Sequence, residues 1–446
     1  MFMGPAFRRF GGVVLFAVLA VSGCSEPAEE DASSPQPPPS SSTTVANSSP
    51  STFPSIAPTP PSSVPETADP ERLAEISGQL LVLNNSRELV LVHPDGTGRT
   101  LISSPGVPTR QPTWSPDGNS VVWTALTPSG AQISTATLST GDIVTADAPN
   151  APFFYAWSPD ATWIAALGPH PQGVELLVTQ RSTTTTRSIG TGQPFYIDWM
   201  VDDALVALIN TTALVEINVD PSAAAPSELD VSAPLGVFRT PARLTDETVV
   251  VALESTSGNS IVARTAGGAE TVLANAPGPV AFSPHPAGSE LAVLVFDADD
   301  EFQVISTQVD APPVLRASRV SVVDLNDPGA ARTLDVDNPI AMSWSPDGNT
   351  LAVLRSTNRQ LEWVFVRGDE VLPGTPFLPS PEFATAYLPF ADQYDRVSTW
   401  WSPDSSAFVF AGSIDQSAGI WVDLVDDDNG ARLVADGQIA FWSPVD

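Results

Sequence analysis

From residue 79 onward, short apolar runs alternate with breaks rich in Gly, Pro, Asp, Asn and Ser. The clearest unit begins at Trp114, where the entry run ends in Trp114-Ser115-Pro116-Asp117-Gly118. β-rich runs over 121–126, 131–138 and 141–146 follow, separated by polar breaks. Pro presets φ for the first central position of a turn. Gly takes the left-handed position that closes a hairpin. The motif therefore predicts a tight turn between a short first strand and a second strand. Two more strands complete the unit.

The unit recurs. Trp157-Ser158-Pro159-Asp160, Trp344-Ser345-Pro346-Asp347-Gly348 and Trp401-Ser402-Pro403-Asp404 repeat the motif. Eroded copies read Phe282-Ser283-Pro284-His285 and Trp442-Ser443-Pro444-Val445. Trp199 opens a degenerate copy, with Met200-Val201-Asp202-Asp203 in place of the turn. Arg243-Leu244-Thr245-Asp246 fits a further one, followed by a strand over 248–253. Four-stranded units at a fixed period predict an all-β fold, a β-propeller. The count is eight blades, or seven if the segment around Leu244 is a loop. The first unit (79–83, 89–93, 100–103) lacks its first strand, and 438–444 is a first strand without a blade. Pairing them closes the ring and removes two exposed sheet edges. A short helix over 70–76 is expected to lead into it.

Trp-Ser-Pro-Asp-Gly followed by the apolar strand Thr350-Leu351-Ala352-Val353-Leu354 resembles the WD40-like repeat of TolB-type propellers, over roughly residues 76–446. The resemblance implies a binding or assembly role. Trp114, Trp157, Trp199, Trp344, Trp401 and Trp442 are read as packing between blades. Asp117, Asp160, Asp347 and Asp404 are read as bonding their own turns.

The N-terminus changes the picture of where the propeller works. Residues 1–23 read as a secretion signal: Arg8 and Arg9, then an apolar stretch over 11–21, too short to span a bilayer. It ends in Val21-Ser22-Gly23-Cys24, which resembles a bacterial lipobox. Cys24 is the only cysteine. A lone thiol in an exported chain cannot form an internal disulfide, and lipid attachment would consume it. Residues 24–70, dominated by Pro, Ser and Thr, read as a disordered tether, with the propeller over 71–446. The expected localisation is the extracytoplasmic face of a bacterial membrane, held by the lipid on Cys24.

The chain carries a net charge of −32, and every basic side chain is Arg. A basic face for phosphate is missing, so nucleic acid is not an expected partner. The acid clusters Asp297-Ala298-Asp299-Asp300-Glu301 and Asp426-Asp427-Asp428-Asn429-Gly430 read as turns. Neither has the spacing of a calcium loop, although weak calcium binding is the alternative. No metal site or cofactor is expected. His93, His170 and His285 all fall in predicted turns, and no nucleophile elbow or phosphate loop occurs. The chain ends on its closing strand, so no hydrolase domain is expected after the ring. The expectation is a monomeric, non-catalytic scaffold for an envelope protein, peptide or glycan. The alternatives are a propeller enzyme of lyase or glycosidase type, or a ligand-sensing lipoprotein.

A ligand is expected at the channel mouth formed by connections entering the first strands. Those connections carry Phe153, Phe154, Tyr155, Phe195, Tyr196, Arg239, Tyr394 and Arg396, the residue types of binding hot spots. Packing between blades is the competing reading of the rings. The stretch 371–396 is the largest departure from the repeat, and long loops in compact folds are often functional.

Overall fold

The computed structural model describes residues 70–445, apart from 211, 223–224, 236–239, 246, 297–301, 304–313, 316, 358–359 and 428. Eight four-stranded antiparallel sheets form the blades of a propeller. The signal segment, Cys24 and the tether lie outside the described residues.

Blade 2 shows the pattern: Thr109–Trp114, Ser120–Thr127, Gly130–Thr137 and Asp142–Ala148, each strand paired with the next. Blade 5 starts at Ala242–Thr245, so the segment around Leu244 is a true first strand and the count is eight. Blade 6 carries an extra two-stranded hairpin, Phe302–Gln303 with Val314–Leu315, between its second and third strands. Ring closure is as expected. Ile439–Trp442 pairs antiparallel with Leu80–Leu83, placing the last strand innermost in blade 1. The helix Pro70–Glu75 precedes the first blade; Leu73 and Ile76 are buried, and Arg72 pairs with Asp427 at 3.0 Å.

The repeat motif has one physical explanation at each copy. Ser115, Ser158, Ser345 and Ser402 each donate a hydroxyl hydrogen bond to the Asp two residues on. Each serine oxygen also accepts the backbone N–H five residues on. The carboxylate in turn accepts the N–H two residues beyond itself. Burial pushes the pKa of these four aspartates up, but the hydrogen bonds outweigh it and hold them below the ordinary value. The tryptophans join neighbouring blades: Trp157 Nε1 donates to Thr113 O, Trp344 to Ser283 O, Trp401 to Ser343 O and Trp114 to Phe441 O. Trp199 and Trp442 are buried with no such acceptor.

One eroded copy needs re-registering. His285 N donates to Glu290 O and Gly288 N to His285 O, the pattern that Ser115 makes with Ser120 and Gly118. His285 therefore stands in the place of the serine, not of the Asp. The copy reads Pro284-His285-Pro286-Ala287-Gly288, and Pro284 occupies the tryptophan position. Strand pairing agrees: Pro284 faces Leu291 as Trp344 faces Leu351. In blade 5 Arg243 faces Val249 as Trp199 faces Leu205 in blade 4, and so replaces the tryptophan. Its Nη1 still donates to the preceding blade, at Met200 O, 3.1 Å away.

Gly348 closes its turn at φ +73°, and a Cβ there would meet the His285 ring 2.2 Å away. Gly348→Ala is expected to cost about 1–3 kcal/mol through left-handed strain and displacement of that ring. Urea unfolding checks it; an unchanged midpoint would contradict the turn geometry.

Candidate functional site

Blade 8 departs from the others. Its first strand is split: Leu378–Pro379 pairs with Gly412 and Ser413, and the strand resumes only at Trp401, bridged to Phe408. The chain between, residues 380–400, leaves the sheet in short helical turns (Phe383–Tyr387, Leu388–Phe390, Ala391–Tyr394). Proline and clustered aromatics suit such irregular turns better than a sheet edge.

This insert reaches the first strands of most other blades. Gln393 binds Ile197 of blade 4 like a neighbouring strand: its Nε2 donates to Ile197 O at 2.8 Å, and its Oε1 accepts Ile197 N at 3.2 Å. Tyr394 Oη lies 2.8 Å from Gln111 Oε1 of blade 2 and 2.6 Å from Phe153 O at blade 3. Thr240, just before blade 5, donates to Asp392 at 3.2 Å. Ser283 of blade 6 donates to Asp395, and Arg396 Nη2 donates to Phe282 O at 3.1 Å. Aromatic packing backs these bonds: Tyr394 meets Phe154 edge-on at 5.3 Å, and Tyr387 lies 4.5 Å from Tyr394 and 5.6 Å from Phe441. The insert plugs the channel from within.

The plug decides the fate of the sequence-predicted site. Phe154, Tyr155, Phe195 and Tyr394 are buried, so these rings pack rather than face solvent. Tyr155 bonds Thr124 of blade 2, at 2.7 Å, and its burial raises its pKa. Tyr196 is half-buried against the apolar cluster that includes Leu208, its partner on the next strand. Phe153 alone of the rings is exposed, at 37%. Arg239 lies outside the described residues. The candidates therefore do not form one exposed surface. Residues 380–400 occupy the axis that an open mouth would need, and only Arg396 ends up in an open site.

That site is a cleft of about 450 Å³ at the opposite mouth, on the side of the Ser-Pro-Asp turns. Its rim carries Trp344, Pro284, Pro286, Pro346, Pro403 and Pro444; its floor carries Asp198, Arg243, Asp395 and Arg396. It opens beside blades 5 and 6, where Arg243 and Pro284 replace two consecutive repeat tryptophans. His285 lines it as well, packed edge-on against Trp344 at 4.9 Å with Nε2 3.0 Å from Gly348 O.

The floor is electrostatically balanced. Asp198 accepts Arg243 N at 2.7 Å and faces Arg396 Nη1 at 3.8 Å. Burial raises its pKa against the pull of Arg396. Asp395 lines the cleft but is surrounded by protein, and burial pushes its pKa up to about 6, against the Ser283 hydroxyl and Arg396. The folded state thus holds the proton more tightly than the unfolded chain. That stabilisation is complete below pH ~4 and disappears as pH rises through ~6. Asp395→Asn, which stays neutral, should therefore gain on the parent protein by roughly 1–3 kcal/mol between about pH 4 and pH 7. Melting curves of both proteins across that window check it; a constant offset would mean Asp395 titrates normally.

Sequence reasoning overlooked Asp198, Arg243, Asp395, Ser283 and Trp344 as site residues. A signal existed for two of them. Asp198 puts a carboxylate where other copies have Thr113, Ala156 or Ser343 before the tryptophan, and Arg243 replaces a tryptophan outright. Among the described residues no cluster of three or more His, Cys, Asp or Glu is placed to hold a metal ion. Asp426 pairs with Arg367 and Asp427 with Arg72; Asp297, Asp299, Asp300, Glu301 and Asp428 lie outside the described residues.

No family model matches this sequence, and no curated protein matches it. Solved structures do. A eukaryotic initiation factor structure is covered over 99% of its length and 83% of this chain, at 14% identity and a TM-score of 0.54. What this match shows is the β-propeller. TolB from Acinetobacter baumannii matches over 68% of this chain and 65% of its own, at 13% identity and a TM-score of 0.35. An oligogalacturonate lyase from Vibrio parahaemolyticus matches over 79% of this chain and 100% of its own, at 11% and 0.48. At such identities the likeness is one of fold. The lyase nevertheless corrects one expectation. A poor inventory of catalytic motifs was read as absence of enzymatic activity, yet a propeller is also the fold of a lyase, so the non-catalytic reading is withdrawn. The same 11% identity assigns no activity to this chain.

Proposed function

We propose that this chain is a lipid-anchored, extracytoplasmic propeller of a bacterial envelope that binds a protein, peptide or glycan at the open mouth of its plugged channel. The observation that carries the reading is the cleft itself. It combines a Trp and Pro rim with a floor of two carboxylates and two guanidiniums. Its volume is in the range of ligand-binding clefts, and its lining sets the hydroxyls of Ser283, Ser343, Ser398 and Thr399 beside the rings, prolines and charged groups. The anchor rests on the Cys24 motif and the apolar stretch before it. Among the described residues no helix is long and apolar enough to cross a membrane.

The test is a capture experiment from detergent-solubilised envelope with the whole chain. Ser398, half-buried in the cleft wall, changed to Trp would fill the site. A partner retained by the parent and lost by Ser398→Trp supports the reading. A partner retained equally by both places binding elsewhere. Cys24→Ala should move the protein from the membrane to the soluble fraction; unchanged fractionation would remove the lipid anchor.

A further inference from the structure

We propose that the cleft is a neutral-sugar site, in which Trp344 carries one face of a pyranose ring and the lining takes its hydroxyls. The inference rests on the cleft being the binding site, and it names the class of ligand.

The floor is neutral as a whole. It sets Asp198 and Asp395 against Arg243 and Arg396, with Asp198 facing Arg396 Nη1 at 3.8 Å. An uncharged ligand leaves none of these charges unmatched. A ligand acid or amine would leave one charge over in a partly desolvated site, which is costly.

The strand edges that border the cleft are already bonded. Phe282 O accepts Arg396 Nη2, Ser283 O accepts Trp344 Nε1 and Ser343 O accepts Trp401 Nε1. Trp442 O accepts the Thr399 hydroxyl, and Trp442 N donates to Thr399 O. A peptide that adds to a sheet edge needs a ladder of such groups. Recognition here falls to side chains instead.

Those side chains are rich in acceptors. Ser283 donates its proton to Asp395, and Thr399 donates to Trp442 O. Each hydroxyl oxygen keeps lone pairs with which to accept. Asp198, with its side chain 16% exposed, accepts as well, and Ser398 in the wall offers a further hydroxyl. A sugar supplies the matching O–H donors without adding charge. Trp344, half-buried on the rim, gives the C–H face of the sugar ring a flat partner. His285 braces that indole edge-on at 4.9 Å.

The experiment uses the whole chain at about pH 8, above the pKa of about 6 at Asp395. The probes are neutral tetrasaccharides of glucose, mannose, galactose and N-acetylglucosamine, with tetragalacturonate and a random tetrapeptide pool as rivals. Calorimetry gives affinity, and saturation-transfer NMR shows which ligand protons touch the protein. A neutral tetrasaccharide should bind about tenfold or more tighter than tetragalacturonate or the peptides, with saturation on its ring C–H protons. Trp344→Ala should weaken it by about tenfold or more, and Trp344→Phe should keep part of the affinity. The comparison of neutral and acidic sugars needs no variant, so a misfolded Trp344→Ala protein leaves it intact. Binding of no neutral sugar overturns the proposal. So does tetragalacturonate or peptide binding as tightly, or neutral-sugar binding that survives Trp344→Ala. Acid or peptide binding that Ser398→Trp abolishes would sink the neutral sugar alone. Binding of any probe indifferent to Ser398→Trp would sink the binding cleft as well.

Discussion

Trp401→Ala is expected to lower the unfolding free energy by about 3–5 kcal/mol, the range for truncating a buried aromatic. Trp401 is 3% exposed, and its ring meets Phe365 at 5.6 Å and Phe408 at 5.1 Å. Its Nε1 donates to Ser343 O of blade 7, so truncation opens a cavity and removes a hydrogen bond between blades at the same seam. Trp401→Phe keeps most of the packing and loses the hydrogen bond, so it should cost about 1–2 kcal/mol. Leu433→Ala, on an outer strand and 41% exposed, should stay within about 0.5 kcal/mol. Equilibrium unfolding in urea ranks the three. A Trp401→Ala cost no larger than that of Leu433→Ala would mean the repeat tryptophans do not hold the blades together.

The second large effect concerns the plug. Gln393→Ala removes both partners of Ile197, leaving a buried N–H and C=O unpaired in the middle of the ring. An unsatisfied buried polar group costs about 1–3 kcal/mol, so the pair should cost roughly 2–5 kcal/mol. Asn is one methylene too short to reach both atoms, so Gln393→Asn should recover little. Global unfolding gives the total, and hydrogen exchange at the Ile197 amide gives the local part. Exchange at Ile197 should rise strongly in Gln393→Ala; protection equal to the parent would mean the insert is not what covers that strand.

The fold was legible because its signals are local. Ser-Pro-Asp-Gly carries its own turn geometry, and each tryptophan needs only the neighbouring blade. Even the re-registered copy was readable: Pro284-His285-Pro286-Ala287-Gly288 precedes Ser289-Glu290-Leu291 as Trp344-Ser345-Pro346-Asp347-Gly348 precedes Asn349-Thr350-Leu351. Matching on Ser-Pro alone set it two residues early. The site was much less legible, because it depends on contacts across the ring. Nothing near residue 393 says that its amide will pair with residue 197. The departure of 371–396 from the repeat was visible, but its destination was not. Once the insert fills the channel, aromatic mouth residues such as Phe154 and Tyr394 become packing, and the open site moves to the other face. Two missing tryptophans, at Arg243 and Pro284, were the better pointer.

The most direct test of a binding cleft opposite the plug is site-specific photo-crosslinking in intact envelope. One probe replaces Pro286, exposed on the cleft rim; a second replaces Phe153, exposed at the plugged mouth. The account predicts a discrete crosslinked partner from position 286, absent at position 153 and lost when Ser398→Trp is added. A partner captured from 153 and not from 286 would contradict it.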